Sequence, residues 1–373
     1  MRNIRKVAFD IPGMFAKWEE EEIMKIPNYW KSSLEDIEET VKSLKKGSVR
    51  TVYSAGGRPI YLVEYGMRNE FHRTANFSSA CGCHDMSCYA DKKKPDTRPC
   101  LLLVGATHGA EFEGTVAILN LINLLETGSD FAGNRFPAFE RLTEKINLLL
   151  IPCLNPDGRA RVPFDSVLEM SFEEFRYYAQ GTWKDGSLAG WPTCKQYHPI
   201  LDKVDFLGAY YNDNGINIQH DDFFKPMAGE TAFLLDIADE YVPDATVLLH
   251  GGTNTHDGLL PPTHVPLYFK EQALQISENF KAACEKNGME AMVRGLFGGM
   301  CKNDNYPPFY VDLVSAVTMK CGELCMVYES NQGLAYGEYR LGYEEIYRHH
   351  MLLFQEMVAY VQKHIEELRN AQK

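Results

Sequence analysis

The sequence predicts an α/β fold, in which a mixed, mostly parallel and twisted sheet is covered by helices on both faces. Short, continuously apolar runs alternate with longer segments of helical periodicity, as is typical of strands buried between two layers of helices. The composition is that of a globular protein, because hydrophobic residues make up 45% and charged residues 24% of the 373 residues. A chain of this length is expected to form one large domain or a core with an extension.

The charge of the chain argues against some classes of partner. Acidic residues outnumber basic residues by 51 to 38, which gives a net charge of −13. Such a surface repels phosphate backbones and anionic lipid, so we expect neither nucleic acid nor a membrane surface as the main partner. No apolar run reaches the ~18 residues of a membrane span, and the first residues lack the apolar stretch of a secretory signal. If residue 1 is the natural start, we expect a cytoplasmic protein; its oligomeric state is left open.

Residues 1–47 are predicted to be a helical extension packed on the core, and residues 48–373 a single domain. A polar amphipathic helix is expected over residues 29–46, because apolar side chains recur at helical spacing and a basic pair followed by glycine ends it. Two extended runs around the Gly-Gly turn at 56–57 predict a β-hairpin. Residues 68–99 are loop-like and predicted to be an insertion, whose length suggests that it shapes the mouth of a binding pocket.

Strands and helices alternate from residue 100 onwards. The expected strands are 100–104, 146–151, 245–249 and 324–328, and the expected helices are 114–125, 230–241, 271–286, 311–319 and 343–369. In sheets of this kind, ligands bind beyond the carboxyl ends of the strands. The residues that follow each apolar run are therefore the first candidates for a functional site.

Two histidines and two carboxylates follow the predicted strands. His108 and Glu111 follow the first of these strands, His250 follows the third and Glu329 the fourth. Two histidines and one carboxylate are a recurrent ligand set for a catalytic zinc ion, which keeps a further position open for water. His108 and Glu111 are three residues apart across a turn, so they can share one ion that His250 completes. Glu329 would then act as general base towards the metal-activated water.

Each of these residues also has a structural explanation. A histidine at a strand end often has only a structural hydrogen bond. Glu111 can be a charge in the first turn of a helix, where the helix dipole favours it. Glu329 can form an ion pair with a basic residue. Glu113 competes with Glu111 as a ligand, although its spacing from the first histidine is less suitable. His256 and His264 compete with His250, but they lie in a loop rich in Gly and Pro.

The ten cysteines are not expected to form a disulfide framework, because a chain of this length builds a sufficient core without one. The exception is a group within the predicted insertion, where Cys81, Cys83, His84 and Cys88 lie within eight residues. Three thiols and an imidazole could hold a structural zinc ion, although their spacing is not a paired Cys-x-x-Cys pattern. The alternative is that these cysteines arose by sequence drift in a short loop and have no function.

In these residues the chain resembles the zinc carboxypeptidase family, of the carboxypeptidase A type, over roughly residues 48 to 340. His108 and Glu111 are similar to the family's first two metal ligands, His250 to its third ligand, and Glu329 to its catalytic glutamate. Three further motifs resemble those of the family in the same order: Gly-Arg-Pro-Ile at 57–60, Asn-Pro-Asp-Gly at 155–158 and Gly-Glu-Thr at 229–231.

The resemblance implies a zinc carboxypeptidase-like (phosphorylase/hydrolase-like) fold over residues 48–373, with one catalytic Zn²⁺. It implies a metallopeptidase-like hydrolase that cleaves an amide bond in a peptide or peptide-like small substrate. Two alternatives stay open. One is a deacylase or esterase that acts on small acylated amino acids or amines with the same metal centre. The other is a zinc-containing binding protein without turnover.

Two segments that would contact substrate differ from the family pattern. Lys184 follows Thr-Trp where the family has a segment with an oxyanion-binding arginine, so the resemblance gives Lys184 that role; a solvated loop lysine is the alternative. Gln219 and His220 stand where the family has the Asn-Arg pair that binds the terminal carboxylate of the substrate. Histidine carries no permanent charge near pH 7. Either an arginine from elsewhere supplies the charge, for which the candidates are Arg159, Arg161, Arg294 and Arg340, or the substrate has no free carboxylate there.

The family also has a mobile tyrosine about twenty residues before the catalytic glutamate. Tyr306 and Tyr310 occupy that region, and either could cap the pocket and bind substrate. Packing of two aromatic rings within a Pro-rich loop is the structural alternative.

Overall fold

The computed structural model describes residues 25–294 and 311–370. Its strands are β1 (Ser48–Tyr53), β2 (Pro59–Tyr65), β3 (Cys100–Gly105), β4 (Asn147–Ile151), β5 (Gly181–Trp183), β6 (Val204–Leu207), β7 (Ala245–Gly251), β8 (Gly258–Leu260), β9 (Met292–Val293) and β10 (Leu324–Ser330). Eight of them form one mixed sheet in the order β1-β2-β4-β3-β7-β10-β8-β9, and β5 pairs with β6. The central strands β4, β3, β7 and β10 are mutually parallel.

Ten α-helices are found in the described parts of the chain. They are α1 (Leu34–Lys42), α2 (Phe77–Gly82), α3 (Glu113–Thr127), α4 (Leu142–Lys145), α5 (Pro156–Ala160), α6 (Phe172–Gln180), α7 (Gly229–Tyr241), α8 (Leu267–Lys286), α9 (Leu313–Cys321) and α10 (Tyr343–Asn370). None of these helices is long and apolar enough to cross a membrane.

The sheet is covered on both faces, as the continuous apolar runs predicted. Side chains of a strand point alternately to opposite faces. Leu101 and Leu103 accordingly pack with α1, α3, α8 and α10 on one face, whereas Leu102 and Val104 pack with α7 and α9 on the other. The predicted fold class is confirmed, and every strand and helix predicted from residue 100 onwards is present.

The N-terminal helix is shorter than predicted. The sequence pattern gave residues 29–46, but α1 starts at Leu34 because Ser33 and Asp36 form a capping box. The Ser33 hydroxyl accepts from the Asp36 N–H at 3.0 Å, and the Asp36 carboxylate accepts from the Ser33 N–H at 3.2 Å. Ile37 and Val41 of this helix lie in the core. Residues 1–24 of the predicted extension lie outside the described residues, and the division at residue 47 stays a prediction.

The predicted insertion packs at the opposite edge of the sheet from the candidate site, which corrects the expectation that it shapes the pocket mouth. Its buried Lys92 donates to Asp244, directly before β7, at 2.7 Å and to Glu323, directly before β10, at 2.8 Å. These residues mark the amino ends of the two strands, whereas His250 and Glu329 lie at their carboxyl ends. Length alone does not tell at which edge an insertion packs. The segment also contains the helix α2, which its loop-like composition did not indicate.

Lys92→Met tests this anchor. The substitution leaves two buried carboxylates without their shared cation, and removing one partner of a buried ion pair costs roughly 3–5 kcal/mol. We expect a loss of that size in the free energy of unfolding, measured by urea denaturation. Lys281→Met is the matched control, because Lys281 pairs with Glu285 on an exposed helix surface and should change stability by less than about 0.5 kcal/mol. Equal effects of the two substitutions would contradict the anchoring role.

Candidate active site

Three side chains from adjacent strands meet at the carboxyl edge of the sheet. The Glu111 carboxylate lies between two imidazoles: Oε1 is 3.0 Å from His108 Nδ1, and Oε2 is 2.9 Å from His250 Nδ1. All three residues are buried. Each offers one ligand atom, and these atoms lie within 4.8 Å of one another. The structure thus brings together the three residues that the sequence predicted as ligands.

Close backbone packing holds the turn that carries His108 and Glu111. This turn follows β3, and the Gly109 N–H donates to the Ala209 carbonyl at 2.8 Å. A Cβ added at Gly109 would overlap the backbone of Gly158 in the Asn-Pro-Asp-Gly turn. The N–H of Asn155 in the same turn donates to the Ala106 carbonyl at 3.0 Å. The turns after β3 and β4 therefore support each other.

The other family-like motifs form a structural network next to this turn. Asp157 accepts from the Ser54 hydroxyl at 2.6 Å and from the Arg58 guanidinium at 2.8 Å, which ties the hairpin of β1 and β2 to the Asn-Pro-Asp-Gly turn. Glu230 is buried and accepts from the Ala55 N–H at 3.0 Å. These residues position the site without belonging to it.

The carboxylate and the two imidazoles stabilise each other's charged forms. Burial alone would raise the pKa of Glu111, but the two imidazoles hold it well below its ordinary value. Burial alone would lower the pKa of His250, but the hydrogen bond and the charge of Glu111 outweigh that effect and raise it. A buried carboxylate is thus kept ionised by its partners, and ionised carboxylates and neutral imidazoles are the forms that bind metal ions.

The imidazole nitrogens have distinct roles. Both Nδ1 atoms face Glu111, so they are the candidate ligand atoms. The Nε2 of His108 lies 3.2 Å from the Asn217 amide oxygen, which can accept its N–H and fix the tautomer that leaves Nδ1 free for a metal. Tyr210 stacks on the His108 ring, with ring centroids 4.0 Å apart. The buried Nε2 of His250 has no hydrogen-bond partner among the described residues.

The donor set fits zinc. Two ligands at about 2.1 Å from a tetrahedral zinc ion lie roughly 3.4 Å apart, close to the two nitrogen–oxygen distances around Glu111. Zinc accepts two imidazoles and a carboxylate in catalytic sites and leaves a position for water. A small movement of these side chains would therefore be enough for the three donor atoms to share one ion.

Glu329 lies beside this group. It is opposite His250 in the parallel register of β7 and β10, so the two side chains share one face of the sheet. Burial raises the pKa of the Glu329 carboxyl above its ordinary value, and the charge of Glu111 adds to the increase, whereas His250 and Arg294 counteract it. A carboxyl with a raised pKa next to a metal site is suited to accept and return a proton.

The structure separates the rival ligands from this centre. Glu113 is buried at the start of α3, where Gln332 donates to it at 3.4 Å, and burial raises the pKa of its carboxyl to about 8. His256 pairs with Glu290 and His264 is exposed.

The cysteine group does not form a metal site in the structure. Cys81 and Cys83 are exposed and point to separate partners, Met86 and the Ala80 carbonyl. Asp244, Glu323 and His364 are the second group with three possible ligands in the described parts of the chain. The ammonium of Lys92 already lies between its carboxylates, so a divalent ion would meet a positive charge.

Comparisons with known proteins agree with this geometry. The family model for zinc carboxypeptidases matches residues 34–166, which include His108 and Glu111. The match covers less than half of the chain, and it agrees with the family resemblance that the motifs predicted. A comparison with curated proteins found no match.

Solved structures of the same kind share the fold. The chain is similar to a metallo-carboxypeptidase from Burkholderia cenocepacia, with a TM-score of 0.53 and 14% identity, covering 89% of this chain and 70% of that one. It is also similar to the carboxypeptidase A from Helicoverpa armigera, with a TM-score of 0.50 and 13% identity, covering 90% of this chain and 74% of that one. At these identities the likeness shows the fold alone.

The predicted substrate residues lie at different places. Gln219 is buried directly after Asn217, and its N–H donates to the Asn217 amide oxygen at 3.1 Å. His220 follows it, and burial, together with the positive charge of Lys195, lowers the pKa of its imidazole to about 2. Lys184 is exposed after β5 and has no hydrogen bond or ion pair with the metal-ligand candidates among the described residues. Its oxyanion role stays a prediction, and Tyr306 and Tyr310 lie outside the described residues.

Three of the four arginines considered from the sequence are engaged away from the site. Arg159 is buried and bonds the Ser32 carbonyl at 3.0 Å, Arg161 pairs with Asp213, and Arg340 pairs with Glu169 at 3.3 Å on the surface. Arg294 differs, because its charge acts on Glu329 and its buried Nε has no partner among the described residues.

Sequence reasoning missed several neighbours of the site. Asn217 is the third residue of the segment that was compared with the family. The family has an aspartate at that position, so Asn217 could have drawn attention. Tyr210, Lys195 and His198 carried no signal, because they lie in connecting segments whose course the sequence pattern does not define.

The ligand assignment predicts one zinc ion per chain, measured by plasma emission spectroscopy on the purified protein. His108→Ala and His250→Ala should each weaken zinc binding by more than about 100-fold, because each removes a ligand outright. Glu113→Gln is the matched control and should keep the zinc, because this carboxyl faces Gln332. Stoichiometric zinc in the double variant His108→Ala/His250→Ala would show that the assignment is wrong.

Proposed function

We propose that the chain is a zinc-dependent hydrolase that cleaves an amide bond in a peptide or peptide-like substrate. The observation that carries this proposal is the convergence of His108, Glu111 and His250, with Glu329 in register beside them. The match of residues 34–166 to the zinc carboxypeptidase family model supports the same activity. A group that only bound zinc would have no need of a second carboxylate next to its open side.

Each residue has a defined part in the proposed reaction. His108, Glu111 and His250 hold the ion, which when bound would lower the pKa of a water molecule and polarise the substrate carbonyl. Glu329 accepts a proton as the water attacks and passes it to the leaving amine. Asn217 keeps His108 in the tautomer that presents Nδ1. Lys184 is a candidate second donor to the developing oxyanion, as the sequence resemblance implies.

Glu329→Gln separates chemistry from metal binding. The amide keeps the shape of the side chain but cannot accept the proton, so amide hydrolysis should fall by roughly 100- to 10,000-fold while zinc content stays unchanged. Steady-state kinetics on a peptide library and plasma emission provide the two measurements. Glu290→Gln is the control, because Glu290 is exposed and pairs only with His256 among the residues described.

Two outcomes would contradict the proposal. Undiminished hydrolysis in Glu329→Gln would remove the general base from the mechanism. Absence of hydrolysis by the zinc-loaded wild-type chain on any peptide, while small N-acyl amino acids are cleaved, would favour the deacylase alternative.

A further inference from the structure

The side chain of Gln332 joins the loops that follow β3, β7 and β10 at the carboxyl edge of the sheet. Gln332 itself lies in the loop after β10 and is buried. Its Nε2 donates to the carbonyl of Ala110, directly before Glu111, at 3.4 Å. Its Oε1 accepts from the N–H of Thr253, three residues after His250, at 3.1 Å. One buried amide thus contacts the backbone beside two of the metal-ligand candidates.

Further contacts hold this amide in one orientation. The backbone N–H of Gln332 donates to the Thr253 carbonyl at 2.6 Å, so the two residues exchange a pair of hydrogen bonds. Nε2 also lies 3.4 Å from each carboxyl oxygen of Glu113, at the start of α3. Both polar atoms of the side chain therefore have partners, and a buried amide that is fully paired makes its surroundings rigid.

The loop after β7 depends on these contacts for its conformation. Thr253 has a φ of +60°, in a region that a β-branched residue rarely adopts. A strained residue of this kind persists only where its surroundings determine its conformation. Gln332 binds both the N–H and the carbonyl of Thr253. The strained turn is thus held from the loop after β10 and not by its own backbone preference.

The same loop determines where the proposed general base lies. A Cβ added at Gly252 would lie 3.0 Å from Oε2 of Glu329, so this carboxylate packs directly on the backbone of the loop. The N–H of Gly251 donates to Oε2 of Glu111 at 3.3 Å. A shift of the loop would therefore move the general base relative to the metal-ligand candidates.

We infer that Gln332 is a positioning residue, which sets the distance between Glu329 and the metal-ligand candidates by locking the three loops together. The inference rests on the proposed function, because this distance matters only if Glu329 acts on a metal-activated water. A displacement of about 1 Å between reacting groups can cost about 100-fold in rate. Neither the sequence resemblance nor the comparisons give Gln332 a role.

Gln332→Met tests the inference, because methionine keeps the approximate length of the side chain but makes none of its hydrogen bonds. The zinc-loaded full-length chain is mixed with excess chelator, and zinc release is followed with a zinc indicator. We expect release to accelerate by about tenfold or more, as for other residues that orient metal ligands. Peptide hydrolysis at saturating zinc should show a kcat lower by about tenfold or more with little change in KM, because the substrate contacts remain.

Asn120→Leu is the matched control for a general loss of stability. Asn120 is also a buried amide that bridges separate segments, since it donates to the carbonyls of Tyr29 at 2.8 Å and Val116 at 2.9 Å and accepts from the Phe131 N–H at 3.1 Å. None of these partners lies in the three loops. The control should lower the melting temperature, measured by circular dichroism, and leave zinc release and kcat unchanged.

Gly251→Ala provides an independent test if Gln332→Met does not fold. A Cβ at Gly251 would lie 2.4 Å from Cδ of Gln332, so the added methyl group displaces the amide. Zinc release should accelerate in Gly251→Ala alone, but the same change should have no further effect in Gln332→Ala, where the shorter side chain leaves room. Equal acceleration in both backgrounds would show that Gln332 does not transmit the effect and would overturn the inference.

The measurements separate this inference from the proposed function. If the wild type cleaves peptides and Gln332→Met has the same kcat, the positioning role is wrong and the proposed function stands. If the wild type binds zinc but cleaves no amide bond, the proposed function fails and zinc release alone decides. Faster release in Gln332→Met but not in Asn120→Leu then supports the positioning role, and equal release in all three proteins overturns it.

Discussion

The site depends on one buried carboxylate, Glu111, and on the two imidazoles that keep it charged. An isolated carboxylate in this position would be very costly to bury. The contacts with His108 and His250 compensate for that cost and hold the three donors at one point. This arrangement requires β3 and β7 to be neighbours, because the turn after β3 carries Glu111 and the end of β7 carries His250. β10 on the other side of β7 then brings Glu329 beside His250. The strand order therefore determines which residues can react together.

The two ends of the same strands show how similar residues serve different purposes. Asp244 and Glu323, directly before β7 and β10, lie with His364 of α10 within the same 4.8 Å limit as the three residues at the carboxyl ends. At that amino edge, however, the ammonium of Lys92 supplies the positive charge, and the group fastens the segment of residues 68–99 to the sheet. At the carboxyl edge no lysine or arginine of the described residues forms an ion pair with Glu111, whose partners are two histidines. A cluster of carboxylates and histidines is thus a metal-site candidate only where the protein has not already provided the cation.

The central strands and the polar residues that follow them could be predicted from the sequence, for a physical reason. Strands buried on both faces must be continuously apolar, so β3, β4, β7 and β10 were visible as short runs, and the polar residues after them were visible as exceptions. The short strands β8 and β9, at one end of the sheet order, were missed because two or three residues are too few for a pattern. The start of α1 was misplaced because the N-terminal cap formed by Ser33 and Asp36 overrides helical periodicity. The insertion was placed at the wrong edge because its composition does not tell at which edge of the sheet it packs. The buried partners of Lys92 show this edge.

The substrate side of the site was the least predictable part, and the reason is where its residues come from. The ligand candidates and Glu329 lie on strands or in the turn directly after a strand, and the relative positions of the strands follow from the sheet. A small cavity next to Asn217 is lined from the connecting segment around Lys195 and from the segment of Asn217 and His220. The positions of these segments follow from packing that a single sequence does not reveal. The identity of the residue at position 220 alone therefore does not decide which substrate binds. Metal chemistry is thus tied to the sheet, whereas the choice of substrate is left to segments that can change without disturbing it.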